Sequence, residues 1–210
     1  GYFKKEYCQQ GGYANGGLMP WVGGELCRAA FFFGRETYGV ELMRQFADHL
    51  RRHGGAQVWY WPDGQSGMRT TNEVPYAGWG MAEWVAALVE GLAGVRDEDC
   101  LYHTVEVSPR WAAAPVDRVR AAARYAASNG CFVYDMRIDR EAATVTLDYT
   151  GSGRTARFAV LLPEGWTPKT LTVADQPGAP AVEQMGASRY VTFVAPIDGI
   201  GRAVIACERP

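Results

Sequence analysis

Across the first 95 positions, apolar residues recur with a helical period. Val22, Leu26, Ala29, Ala30 and Phe33 share one stripe and predict a first helix closed by Gly34. Val40, Met43, Phe46, Ala47 and Leu50 predict a second. Its last turn carries Arg51 and Arg52, where cations suit the helix dipole, and Gly54-Gly55 stops it. Ala82, Val85, Ala86, Val89, Leu92 and Ala93 predict a third helix ending at Gly94. From about Leu101 the period falls to two. Val145, Leu147 and Tyr149 alternate with Thr144, Thr146 and Asp148, and similar runs recur near 101–107, 116–126, 131–138, 156–162, 169–174, 189–195 and 201–207. Asn129-Gly130 reads as a two-residue hairpin, while Pro163-Glu164-Gly165 and Asp198-Gly199 punctuate later strands. Helices followed by about eight short strands predict an α+β chain of two domains, helical over 1–97 and an antiparallel β-sandwich over 98–210.

The helical half poses a packing problem. Three helices with broad apolar faces, one carrying Phe31-Phe32-Phe33, need partners on both sides, and a sandwich covers only one. Either an amino-terminal part of a larger helical domain or a second copy of the chain is expected over the other face, because large apolar patches seldom stay wet.

Composition narrows the classes of partner. With 48% hydrophobic and 21% charged residues the chain has ample material for a core, and disorder is excluded. A net charge of -2, spread evenly over both halves, argues against a nucleic-acid backbone or an acidic membrane surface as partner. No apolar run approaches the ~20 residues of a membrane span, and the amino end lacks a signal-peptide pattern. The chain is expected to be soluble. The first residue is Gly1 rather than Met, which is compatible with removal of an upstream signal or domain, so a cytoplasmic location and a secreted one after such removal both stay open. The five widely spaced cysteines, without a Cys-x-x-Cys pair, read as mostly buried thiols.

Several motifs carry little chemistry. Gly151-Ser152-Gly153-Arg154-Thr155-Ala156 matches a dinucleotide fingerprint, but a strand rather than a helix follows it, so it reads as a hairpin turn. His49 and His53 lie one helical turn apart, yet no further ligand accompanies them and a solvated helix end is expected. His103 has no nucleophile pattern beside it. Neither metal nor cofactor is expected.

Two segments are more informative. In Tyr13-Ala14-Asn15-Gly16-Gly17-Leu18-Met19-Pro20-Trp21, three residues tolerant of positive φ precede a proline suited to the first helical position. Such a turn either aims the Asn15 amide into a pocket or simply opens a helix. The long connector from Ala56 to Ala77 holds Trp59, Tyr60, Trp61, Asp63, Glu73 and Tyr76, with Trp79 just beyond. Aromatic faces stack on sugar rings while carboxylates and amides bind hydroxyls, so this is the composition of a carbohydrate cleft; equally, it could fill the gap between the domains.

The run Tyr13-Ala14-Asn15-Gly16-Gly17-x-x-Pro20-Trp21, with Glu25-Leu26 and Ala29-Ala30, resembles a hairpin-opening motif of the six-hairpin glycosidase superfamily, the (α/α)6 toroid enzymes. Trp59-Tyr60-Trp61-Pro62-Asp63-Gly64, followed by Gly78-Trp79-Gly80-Met81-Ala82-Glu83, looks like the last hairpin of that toroid. The strands ending in Leu161-Leu162-Pro163-Glu164-Gly165-Trp166 are similar to the β-domain appended to many bacterial members, rhamnosidase-like ones included. The resemblance implies the last helical hairpins of a toroid glycoside hydrolase, cleaving glycosidic bonds with two carboxylic residues, one of them outside this chain. It implies Asp63 or Glu73 as the second carboxylate, and Asn15, Trp21, Trp59, Trp61, Tyr76 and Trp79 as contacts to a carbohydrate substrate. At the position where related families carry a general base stands Tyr60, so a non-catalytic carbohydrate-binding or structural module is the alternative.

Overall fold

The computed structural model describes residues 9–67 and 76–209. Helix α1 (Pro20–Phe32) begins with Pro20 in its first turn and ends ahead of Gly34, whose φ of 70° only glycine adopts freely. Helix α2 (Glu36–His53) stops at the left-handed Gly54, with Arg51, Arg52 and His53 in its last turn. It starts four residues before the first apolar position of its stripe because Glu36 is itself buried. Helix α3 (Gly78–Ala86) widens into a π-turn, Ala87–Leu92, where Gly91 lies flat against the Phe31 ring. No described helix is long and apolar enough to cross a membrane.

Glycines set how closely α1 and α3 pack. Pro20 lies against Gly80, Gly23 against the Trp84 ring and Gly24 against Glu83, so the two helices run parallel. A Cβ on Gly24 would sit 2.6 Å from that of Glu83, a distance no larger residue tolerates. Phe46 of α2 stacks on Trp84 at 4.1 Å, and Cys27, Phe31, Ala87 and Leu92 complete a small core. The three adjacent phenylalanines go three ways. Phe31 is fully buried, Phe32 packs under the guanidinium of Arg110, and Phe33 is 76% exposed.

The strands form two sheets. One is β1 (Val95–Asp97), β2 (Thr104–Val107), β6 (Thr155–Leu161), β10 (Ser188–Pro196) and β9 (Ala181–Met185), in that spatial order. The other is β3 (Arg118–Arg124), β4 (Cys131–Asp139), β5 (Thr144–Gly151), β11 (Gly201–Glu208), β7 (Thr167–Val173) and β8 (Gln176–Gly178). Inward residues such as Phe132, Tyr134, Leu147, Phe158, Val191 and Ile205 fill one core between them, as the alternation along each strand dictates. All pairings are antiparallel except β2 with β6, which run parallel, a departure from the purely antiparallel sandwich expected.

Two turn assignments need correction. Gly151–Arg154 is no hairpin: β5 and β6 belong to different sheets, and the segment arches between them. Its Gly153 is required because a Cβ would overlap the Tyr102 carbonyl. Asn129-Gly130 is not a two-residue turn either. Arg124 pairs with Cys131, leaving a longer loop, and Gly130 is needed for its approach to Leu101 rather than for a positive φ. The short strands β1, β8 and β9 escape a period-two reading because Val95–Asp97 and Gln176–Gly178 span only three residues each and β9 is exposed on both faces. The thiols also differ from expectation. Cys27 is buried, Cys100 is exposed, Cys131 and Cys207 are half-buried, and Cys8 lies outside the described residues.

A buried polar seam joins helices to sheets. Tyr190 of β10 donates its hydroxyl proton to Glu36, and Ser188 donates to the other Glu36 oxygen at 2.6 Å. Arg110, equally buried, donates to the carbonyls of Gly91 (2.7 Å) and Ser108 (3.1 Å) and to the Tyr190 oxygen (3.3 Å). Tyr190 thus links a buried cation to a buried carboxylate, the pairing that makes such burial tolerable. Burial drives its phenol well above the usual tyrosine range. Tyr134 adds a second tie, donating to the carbonyl of Ala93 at 2.8 Å while accepting from the Trp111 indole.

Candidate functional site

The turn before α1 and the first part of the connector are stitched together by backbone bonds. Leu18 and Tyr60 exchange N–H to O bonds of 2.8 and 2.9 Å, and Gly67 N–H bonds the Trp59 carbonyl at 3.0 Å. This ladder dictates where the aromatics go. Trp59 points inward and is 1% exposed, among Val58 and Ala77 with Tyr13, Trp21 and Trp61 around it. A Cβ at Gly67 would overlap its ring, so the indole leaves no room beside it. Tyr60 is also buried, its ring 4.9 Å from the His49 imidazole and 5.1 Å from that of His53. Its hydroxyl accepts the Gln57 N–H at 3.0 Å, and burial raises the phenol above its ordinary range. The residue at the place expected for a general base therefore braces the connector.

The remaining expected contacts divide. Trp21 and Trp61 flank the Trp59 cluster and are partly open. Tyr76 is half-exposed and covers Gly55, and Trp79, on the first turn of α3, is 57% exposed. Asn15 is exposed, and its amide donates to the Gln9 carbonyl at 3.2 Å within its own loop. Asp63 is exposed on the connector, where its Oδ1 accepts the Gln65 N–H at 2.9 Å, the bond of an Asx turn. Glu73 lies outside the described residues. The structure thus gathers Trp21, Trp59 and Trp61 into one cluster while Asp63 and Asn15 serve turns.

His49 and His53 do not form the solvated helix end expected. They stack on each other with the Tyr60 ring tilted against both, and His53 Nε2 lies 3.1 Å from the Gly64 carbonyl. The His49 ring also abuts Gly64, so both clamp the connector onto α2. Burial, with help from the charges of Arg52 and His53, lowers the affinity of His49 for a proton, opposed by Asp48. Beside it, a cleft of about 590 Å³ opens between α1 and α2, lined by Leu18, Val22, Leu26, Leu42, Phe46 and His49 among others. Among the described residues no group of three or more metal-ligating side chains occurs.

A carboxyl pair emerges that pattern reading missed. Glu25 of α1 and Glu83 of α3 face each other where Gly24 lets the parallel helices touch, and their carboxyl groups lie within hydrogen-bonding reach. The Glu83 carboxyl is raised by that contact, whereas the Glu25 carboxyl is lowered by the bond from Glu83 and by Arg28. Arg28 bridges Glu25 at 3.2 Å and Glu90 at 2.8 Å. One turn before each glutamate stands a tryptophan, Trp21 before Glu25 and Trp79 before Glu83. A signal for this existed in the sequence, a Trp-x-x-x-Glu spacing that occurs at both helix starts.

No protein-family model and no curated protein matches the chain. Among solved structures it is similar to an alpha-L-rhamnosidase from Dictyoglumus thermophilum, with a TM-score of 0.59 over 88% of this chain at 13% identity. That likeness is one of fold, and at such coverage it includes both helices and sheets. The chain spans 20% of that rhamnosidase's length. Weaker likenesses cover about half of the chain. One is to a cycloalternan-forming enzyme from Listeria monocytogenes (17% identity, 50% of this chain and 11% of that one, TM-score 0.34). Another is to the alpha-1,4-glucan lyase of Gracilariopsis lemaneiformis (13% identity, 49% and 13%, TM-score 0.33).

Proposed function

We propose that this chain is the carboxyl-terminal part of an (α/α)6 glycoside hydrolase, helices and β-sandwich together, acting on glycosidic bonds. The observation that carries the reading is the Glu25–Glu83 pair on two parallel helices, with Trp21 and Trp79 one turn away. Carboxyls whose proton affinities are moved in opposite directions suit a division of acid and base roles, and indoles beside them suit sugar rings. The rhamnosidase-like fold supports this choice over other carbohydrate proteins.

Distance limits what the pair does. The acid and the base or nucleophile of a glycosidase stand ~5 to 9.5 Å apart across the bond. Hydrogen-bonded carboxyls are closer, so Glu25 and Glu83 act as one unit on one side. The opposing carboxyl comes from the connector, Asp63 or Glu73, or from chain outside these residues. Helices beyond them, or a second copy, cover the exposed apolar face of α1.

Glu25→Gln and Glu83→Gln in the intact protein test this with aryl glycosides and calorimetric glycan titration. Turnover should fall ~10²-fold or more while glycan binding persists. Asp63→Asn, which keeps the Oδ1 acceptor of the turn and removes only the ionisable carboxyl, should separate a connector acid from a merely structural aspartate. A second reading, a carbohydrate-binding module without catalysis, is favoured by the bracing role of Tyr60. It predicts binding with no turnover in the unaltered protein.

A further inference from the structure

Residues 56–67 of the connector are held at two places. Tyr60 joins the turn before α1 through its paired backbone bonds with Leu18, and its ring rests against two imidazoles of α2. His49 and His53 stack at 5.9 Å with their planes 13° apart. Gly64 completes the contact. Its φ is 83°, its bare Cα admits the His49 ring where a Cβ would come within 3.2 Å, and its carbonyl lies 3.1 Å from His53 Nε2.

The two rings answer a proton differently. His53 Nε2 donates to the Gly64 carbonyl whether the ring is neutral or charged, and it stands in the last turn of α2, where a cation suits the dipole. His49 Nδ1 is buried and meets no hydrogen-bond partner. A neutral imidazole can leave that nitrogen as a bare lone pair. The imidazolium carries a hydrogen on both nitrogens, and a buried N–H without an acceptor is costly. The surrounding charges give little relief. On its own helix Arg52 and His53 oppose a charge on His49, and Asp48, which favours one, is engaged with Arg51 at 2.5 Å. From the connector Tyr60 faces it, while Asp63, beside Gly64, accepts the Gln65 N–H. Tyr13, from the turn before α1, lines the same cleft.

We propose that His49 is an acid-sensitive latch: on taking up a proton it withdraws from Gly64 and Tyr60 and frees the connector, with Trp59 and Trp61, from α2. Burial in the latched state lowers its affinity for a proton, so the released state binds that proton more tightly and acid favours release. The latch therefore holds above the ordinary histidine value of about 6.5 and gives way as pH falls from there toward the lower latched value. His49 and Tyr60 both line the cleft of about 590 Å³ between α1 and α2, so release reshapes that cleft as well. The latch does not depend on the Glu25–Glu83 reading, and its test needs no sugar.

The test is amide hydrogen exchange of the full chain by NMR at pH of about 7.5 and about 5, either side of the histidine range, corrected for the intrinsic effect of pH. Protection of the Leu18, Tyr60 and Gly67 N–H groups should fall about threefold or more at the lower pH, while amides of β4 and β5 keep theirs. His49→Gln, which does not titrate, should abolish the fall, and His53→Gln should keep it. An equal fall in His49→Gln, or one shared equally by β4 and β5, overturns the latch. Should His49→Gln leave the connector unprotected at both pH values, the ring titration of His49 in the unaltered chain decides. Its midpoint must coincide with the loss of protection, and a mismatch overturns the latch as well.

Discussion

The strand half and the helical half bury their apolar residues in opposite ways. Each strand of the sandwich sends alternate side chains into a space that the other sheet closes, so Val105, Phe132, Val160 and Val191 are fully buried there, with Val89 of the π-turn packed against the same core. The helices have no such closure. Their core of Cys27, Phe31, Phe46 and Trp84 is thin, and Val22 and Leu26 of α1, with Phe33 just beyond it, remain largely in solvent. A sheet has two faces and a sandwich needs only one of each, whereas a helix that is apolar over a broad arc needs neighbours on several sides. The sheets thus close largely over their own core, whereas the helices lean on the seam and leave an apolar flank of α1 open.

The sharpest way to break that contrast is in the sandwich core. Phe132→Ala should destabilise the chain by ~3–5 kcal/mol, read by denaturant unfolding, because the surrounding strands cannot collapse into the void. Next is the seam. Tyr190→Phe deprives the buried Glu36 of a donor and should cost ~1–3 kcal/mol. It should also separate the loss of helical circular dichroism from the loss of strand signal, and a single coincident transition would contradict the dependence of helices on sheets.

A subtler difference concerns pH. The folded state lowers the proton affinity of His49, so the unfolded chain binds the extra proton first. Its contribution is therefore intact above the ordinary histidine value and is lost as pH falls through about 6.5 toward the folded value. Tm should decline more steeply on acidification in the unaltered chain than in His49→Gln, and parallel declines would show that the clamp on the connector carries no such linkage. The burial of Cys27, whose thiol is pushed up to about 12, predicts that alkylation at neutral pH modifies Cys100 while Cys27 waits for unfolding. The smallest effect is expected at Phe33→Ser, within ~0.5 kcal/mol by thermal melting, since the ring touches mainly solvent. Its interest lies in reduced self-association, measured by sedimentation.

Legibility in the sequence followed the range of the forces involved. The stripe of Val40, Phe46 and Leu50, the glycine stops at Gly34 and Gly54, and the alternation over 144–149 are local consequences of 3.6- and 2-residue geometry, and the corresponding elements stand where that geometry puts them. What local pattern could not decide was partnership. Whether Gly151–Arg154 turns back within a sheet or crosses to the other depends on which strand lies alongside β5, and that is β11, fifty residues later. Likewise, composition put Trp59, Tyr60 and Asp63 in a cleft, but the ladder from Leu18 to Tyr60 turned the first two inward and left the third in a turn. The sequence by itself determined the element types, their stops and the surplus of apolar helix surface, because each is written in neighbouring residues. Only the tertiary structure decided that α1 and α3 run parallel at glycine contact and so bring Glu25 to Glu83, because that closeness is set by packing between segments nearly sixty residues apart.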